Sequence, residues 1–120
     1  MTPTHRPILI AGALLAATGV MLGAFGAHAL PSSLDPTRMG WWQTAVQYQM
    51  WHAVGLVALA ALPLSRPRLP ALLLTTGTII FSGTLYLMAL TNIRWLGAIT
   101  PFGGALMILG WLVLAWSARK

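Results

Sequence analysis

The chain has 120 residues, 58% of them hydrophobic and only 7% charged, with a mean hydropathy of +0.78. Average soluble domains carry roughly 25% charged residues, so this composition cannot clothe a core in polar groups and describes a single-domain integral membrane protein. The net charge of +6 lies in short segments between apolar runs rather than on one amphipathic face, which excludes nucleic acid as a partner, and the lack of cysteine excludes disulfides, thiolate metal sites and cysteine nucleophiles.

Residues 7–30, PILIAGALLAATGVMLGAFGAHAL, carry no formal charge. About 20 apolar residues cross a bilayer, whereas secretory h-regions run to about 15. The segment therefore reads as a retained first span, although Ala27-His28-Ala29 fits the A-x-A cleavage pattern. Pro31-Ser32-Ser33-Leu34-Asp35-Pro36 interrupts the chain. Asp35 offers a capping acceptor and Pro36 the preset dihedral of a first helical residue, so a second helix starts near 36. Its first turns carry Arg38, Trp41, Trp42 and Gln43, suited to the membrane interface, and the span proper is 41–62.

PLSRPRLP, residues 63–70, is a tight connection stiffened by three prolines. The third span, 71–91, is uncharged, and Asn92-Ile93-Arg94-Trp95 marks its exit. The fourth, 97–117, has Arg119 and Lys120 behind it. Four spans put both termini on one side, together with Arg6, Arg66, Arg68, Arg119 and Lys120, and leave Arg38, Arg94 and the sole acid, Asp35, on the other. That asymmetry predicts an all-α, four-helix membrane bundle with both termini cytoplasmic.

Helices associate in lipid by close packing rather than by hiding from water. Gly12, Ala16, Gly19, Gly23 and Ala27 recur at spacings of three and four and line one face of the first helix, with Gly19 and Gly23 forming G-x-x-x-G. This face suits a neighbouring helix of the same chain, with Gly55 of the second helix as the expected contact; a homodimer seam is the alternative. Gly77, Gly83, Gly103, Gly104 and Gly110 give the third and fourth helices similar smooth patches.

Polar side chains concentrate in the outer half of the predicted membrane segment. His28 ends the first helix. Gln43, Thr44, Gln47, Tyr48, Gln49 and His52 lie on the second, Ser82, Thr84, Tyr86, Thr91 and Asn92 on the third, and Thr100 opens the fourth. Thr44, Tyr48 and His52 form an i, i+4, i+8 stripe, and Ser82 and Tyr86 a matching pair. Buried polar groups in a bilayer need partners, and interhelical hydrogen bonds contribute about 0.6 to 2 kcal/mol. His52 is therefore expected to face the interior and bond to the first or third helix. The cluster reads as a structural clasp or, alternatively, as an outward-facing pocket for a small polar ligand or lipid headgroup.

A shared metal or haem would bring His28 and His52 nitrogens within about 4 Å of each other. At 1.5 Å per residue His52 lies roughly 16 Å from Trp41 along its helix, while His28 is only about 3 Å from Leu30. No carboxylate stands nearby, so no metal or cofactor is expected. Proton-coupled transport wants an intramembrane carboxylate, and hydrolysis wants a nucleophile, a base and an orienting group. His52 with Ser82 lacks the third, and no enzyme activity is expected.

GAFGAHAL (23–30), TAVQYQMWHA (44–53), FSGTLYLMALT (81–91) and LGAITPFGGALMILGW (96–111) together resemble the small four-helix membrane proteins of domain of unknown function 423, the YgdD-like proteins of bacteria and the transmembrane protein 256-like proteins of eukaryotes. The resemblance runs nearly the full length and departs in the PSSLDPTRMGWW loop and the PLSRPRLP turn. It implies a multi-pass location in the bacterial inner membrane and no established activity. The family's patterns coincide with His28, Gln49, His52, Tyr86 and Thr100. The expected role is a non-enzymatic accessory or scaffold protein, with ligand or lipid binding and transport as the alternative. Its expected partners are the bilayer and either further copies of itself or a larger membrane complex.

Overall fold

A computed structural model describes residues 2–119, so Lys120 of the basic end lies outside the described residues. The described chain is all-helical: α1 (His5–His28), α2 (Pro36–Ala61), α3 (Arg68–Thr91), a 3-10 turn (Arg94–Ala98) and α4 (Thr100–Ala118). Local chemistry sets the boundaries. The Asp35 carboxylate accepts the Arg38 amide at 2.9 Å and Pro36 follows it, which starts α2. Asn92 ends α3 in the left-handed conformation at φ 57°, its N–H donating to Met88 O at 2.8 Å.

Three segments are long and apolar enough to cross a membrane, namely His5–His28, Arg68–Thr91 and Arg94–Ala118. The second helix, expected as a span, does not reach that mark, because it carries Arg38, three glutamines and His52. Its place in the fold accounts for this. It lies between α1 and α3, and Ala45, Ala53 and Leu56 are completely buried there. Part of its polar surface therefore faces protein rather than lipid.

The helices pack in series, α1 on α2, α2 on α3 and α3 on α4, while α1 and α4 do not approach each other. The array of helices consequently stays open, and its extents of 49 × 26 × 18 Å are unequal in cross-section. Leu56, Leu59, Leu74 and Ile8 fill the core near the α2–α3 turn, and Trp42, Leu30 and Ala89 fill it near the opposite end. Outward faces are apolar, for instance Leu14, Val20 and Met21 on α1 and Phe102, Ile108 and Leu112 on α4.

Two of the interfaces are built on glycine, because only glycine lets the partners come this close. A β-carbon on Gly12 would lie 2.9 Å from Ala53 O, and one on Gly19 2.5 Å from Met50 Sδ. Gly26 is pressed against the Trp42 indole and Gly23 against Val46, whereas Ala27 is exposed. Gly55, the expected contact for α1, instead lies under Trp111 of α4. At the α3–α4 interface a β-carbon on Gly103 would lie 2.5 Å from Phe81 N and 2.7 Å from Gly77 O, so the two backbones touch.

Candidate functional site

Every helix interface in the array carries a polar tie. At the centre is Gln49, only 4% exposed. Its Nε2 donates to Leu15 O and to Thr18 Oγ1 on α1, both at 2.8 Å, and its Oε1 accepts the Tyr86 hydroxyl from α3 at 2.6 Å. One amide thus links three helices and uses both ends to do so. Three residues on, His52 donates Nδ1–H to Tyr48 O at 2.8 Å and accepts the Trp111 indole N–H on Nε2 at 3.0 Å. That pattern assigns a neutral imidazole protonated on Nδ1.

The remaining ties are simpler. Ser82 donates to Ala45 O at 2.7 Å, and Trp42 donates its indole N–H to Leu22 O at 2.9 Å. Thr84 and Thr100 share a 2.6 Å hydroxyl bond between α3 and α4. Arg38 reaches from α2 to the free carbonyls at the end of α3, with Nε 2.7 Å from Ala89 O and Nη2 2.9 Å from Leu90 O. A cation at a helix C-terminus is favourable. Arg94 lies over the Trp41 ring at 5.2 Å.

The five residues singled out by sequence thus divide into separate places. Gln49 and Tyr86 bond directly. His52 sits one turn further along α2, but its partner belongs to the fourth helix, not to the first or third. Its imidazole points towards α4, where Gly55 leaves room for Trp111. Thr100 belongs to the Thr84 pair. His28 is the exposed last residue of α1 and meets none of the others.

Trp111, Thr18 and Arg38 escaped the sequence reading of the cluster. For Trp111 a signal existed: an indole N–H well inside an apolar span requires an acceptor.

Among the described residues, the only buried side-chain nitrogen or oxygen without a partner is Nε2 of His5, whose other ring nitrogen meets the Thr2 hydroxyl. No three histidine or carboxylate side chains among them converge in a way that could hold a metal ion. Two of the cavities lie away from Gln49 and His52. One of about 270 Å³ separates Ile8 and Ala11 of α1 from Ala71 and Thr75 of α3. Another, of about 590 Å³, opens at the basic end beside Arg66, Trp116 and Arg119. The central arrangement can hold helices in register, and neither Gln49 nor His52 lines any of the cavities described.

The family described as Protein of unknown function (DUF423) matches residues 22–104. The UPF0382 membrane protein SH2409 of Staphylococcus haemolyticus is 45% identical over 115 residues, which cover 93% of this chain and 94% of that one. YwdK, a UPF0382 membrane protein of Bacillus subtilis, is 39% identical over 120 residues, 96% of this chain and 98% of its own. The UPF0382 inner membrane protein YgdD of Escherichia coli K12 is 36% identical over 121 residues, 98% and 92% of the two chains. No solved structure matches the chain.

Proposed function

This chain belongs to the DUF423 family of membrane proteins of unknown function, and we propose that it serves as a non-enzymatic accessory or scaffold protein of the bacterial inner membrane. The observation that carries this reading is that every polar side-chain atom of Gln49 and His52 has a hydrogen-bond partner within the chain. A group that binds or turns over a substrate must offer it an unused donor or acceptor, and these two side chains have none directed at a cavity. Gentle extraction followed by native mass spectrometry tests the proposal. The expected spectrum contains the bare chain or chain bound to protein subunits. A bound small molecule that disappears in His52→Leu would replace the scaffold with a ligand-binding protein.

We further propose four membrane crossings with both termini in the cytoplasm. At 26 residues, α2 is about 39 Å long, enough to carry the chain across despite its lower hydropathy. The positive-inside preference supports the orientation, since Arg6, Arg66, Arg68 and Arg119 share one end. The two arginines at the other end are occupied, Arg38 by α3 carbonyls and Arg94 by Trp41. Because the chain has no cysteine, single replacements report cleanly. Ser33→Cys should react with an impermeant maleimide on intact cells, and Ser65→Cys only after lysis. Labelling of both from one side would remove α2 as a crossing; the reversed pattern would invert the orientation.

A further inference from the structure

The inner face of α2 is fully tied, but its outer face is not. Gln43 and Gln47 project from it, exposed and one turn apart, and neither side chain makes a hydrogen bond among the described residues. Below them the same face becomes apolar through Trp51 and Val54, which are 58% and 60% exposed.

Gln47 lies about 16 Å along a helix about 39 Å long. Val46 meets Gly23 of α1, and Met50 meets Gly19. Gln47 therefore stands level with the interior of α1, a segment apolar enough to cross the bilayer. With α2 crossing the membrane, it faces hydrocarbon there, about 9 Å inside the end of α1. An amide moved from water to an apolar medium without a partner is penalised by about 2 to 7 kcal/mol. Lipid tails cannot relieve that cost.

A cleft of about 290 Å³ runs beside the two amides, bounded by Gly23, Gly26 and Ala27 on α1 and by Trp42 and Val46 on α2. Gly23 and Gly26 are already covered by Val46 and Trp42 of α2, so the part of the wall open to a further helix is Ala27 together with the two amides. We propose that this α1–α2 face is the interface of a homodimer, in which Gln47 and Gln43 pair with the same residues of a second copy.

Three arguments select a second copy over another protein. An amide carries both donor and acceptor and is complementary to itself. Two copies inserted in the same orientation are related by a twofold axis along the membrane normal, so Gln47 meets its counterpart at the same depth. The face carries no charged side chain that would call for an opposite charge on the partner. The inference rests on α2 crossing the membrane.

The test uses the purified full-length protein in phospholipid vesicles at high lipid excess, with both glutamines retained. Trp51→Cys and Val54→Cys place reporters on the proposed interface, and Leu112→Cys, on the exposed face of α4, serves as control. Oxidation with copper phenanthroline should convert most of at least one interface variant to twice the 12.8 kDa monomer mass and leave the control monomeric. Adding Gln43→Leu and Gln47→Leu should lower that yield about tenfold at limiting protein.

Equal cross-linking at all three positions would show random collision and overturn the dimer. So would absent cross-linking at 51 and 54 while both cysteines resist an impermeant maleimide, a result that leaves α2 in the membrane. Rapid maleimide labelling at 51 and 54 would instead overturn the crossing itself. Cross-links found only in native membranes, to a different chain, would replace the second copy with another protein.

Discussion

Replacing Gly103 with alanine should lower stability by about 3 kcal/mol, at or above the usual cost of overpacking. The new methyl would sit 2.5 Å from Phe81 N, 2.7 Å from Gly77 O and 2.9 Å from Phe81 Cα. All three are backbone atoms of α3, so no rotamer can give way, and the whole of α4 must move outward. That movement would also strain the Thr84–Thr100 bond and pull Trp111 from His52. Gly83 is the control on the same pair of helices, because a β-carbon there meets nothing within 4 Å. Gly83→Ala should be neutral or stabilising by up to about 1 kcal/mol through helix propensity. Reversible unfolding in mixed micelles measures both, and similar effects at the two positions would refute the backbone-contact account.

Gln49→Leu should cost about 2 kcal/mol, since it removes three hydrogen bonds and strands the Tyr86 hydroxyl in the interior. Tyr86→Phe removes one bond and should cost about 1 kcal/mol. The informative variant is the double. With both partners apolar no orphan remains, so Gln49→Leu/Tyr86→Phe should be no less stable than Gln49→Leu alone, with a coupling of about 1 kcal/mol. Strict additivity across that cycle would mean that the amide and the hydroxyl do not depend on each other, and the central tie would lose its meaning.

What could be read from sequence followed the range of the interactions involved. The start of α2 was legible because Asp35 caps an amide only three residues away. The small-residue face of α1 was legible too, as spacing alone places Gly12, Gly19 and Gly23 on one side of a helix. The inner face of α2 was harder. Six of its eight buried residues, Trp42, Ala45, Gln49, His52, Leu56 and Leu59, alternate steps of three and four, the spacing that keeps a seam against a partner. The stripe of Thr44, Tyr48 and His52 takes only steps of four and drifts about 40° off axis at each. It therefore put weight on Thr44 and did not single out Gln49 as the residue joining three helices. The His52–Trp111 bond spans 59 positions, and no local pattern encodes which of two distant helices will present its indole. His28 shows the converse: a polar residue ending an apolar run marks a helix end as readily as a site.

The serial packing has a consequence for how the protein is made. Every extensive interface joins helices that are consecutive in the chain, and the first and last never meet. With the four crossings proposed above, each helix would enter a bilayer that already contains the neighbour it rests on. The α1–α2 hairpin can close on its glycines before α3 exists, and Arg38 then stands ready for the carbonyls at the end of α3. The topology permits assembly in the order of synthesis, with short loops to close at each step. The Thr84–Thr100 and His52–Trp111 bonds both wait for the final helix, and of the two only the second reaches back past α3 to α2.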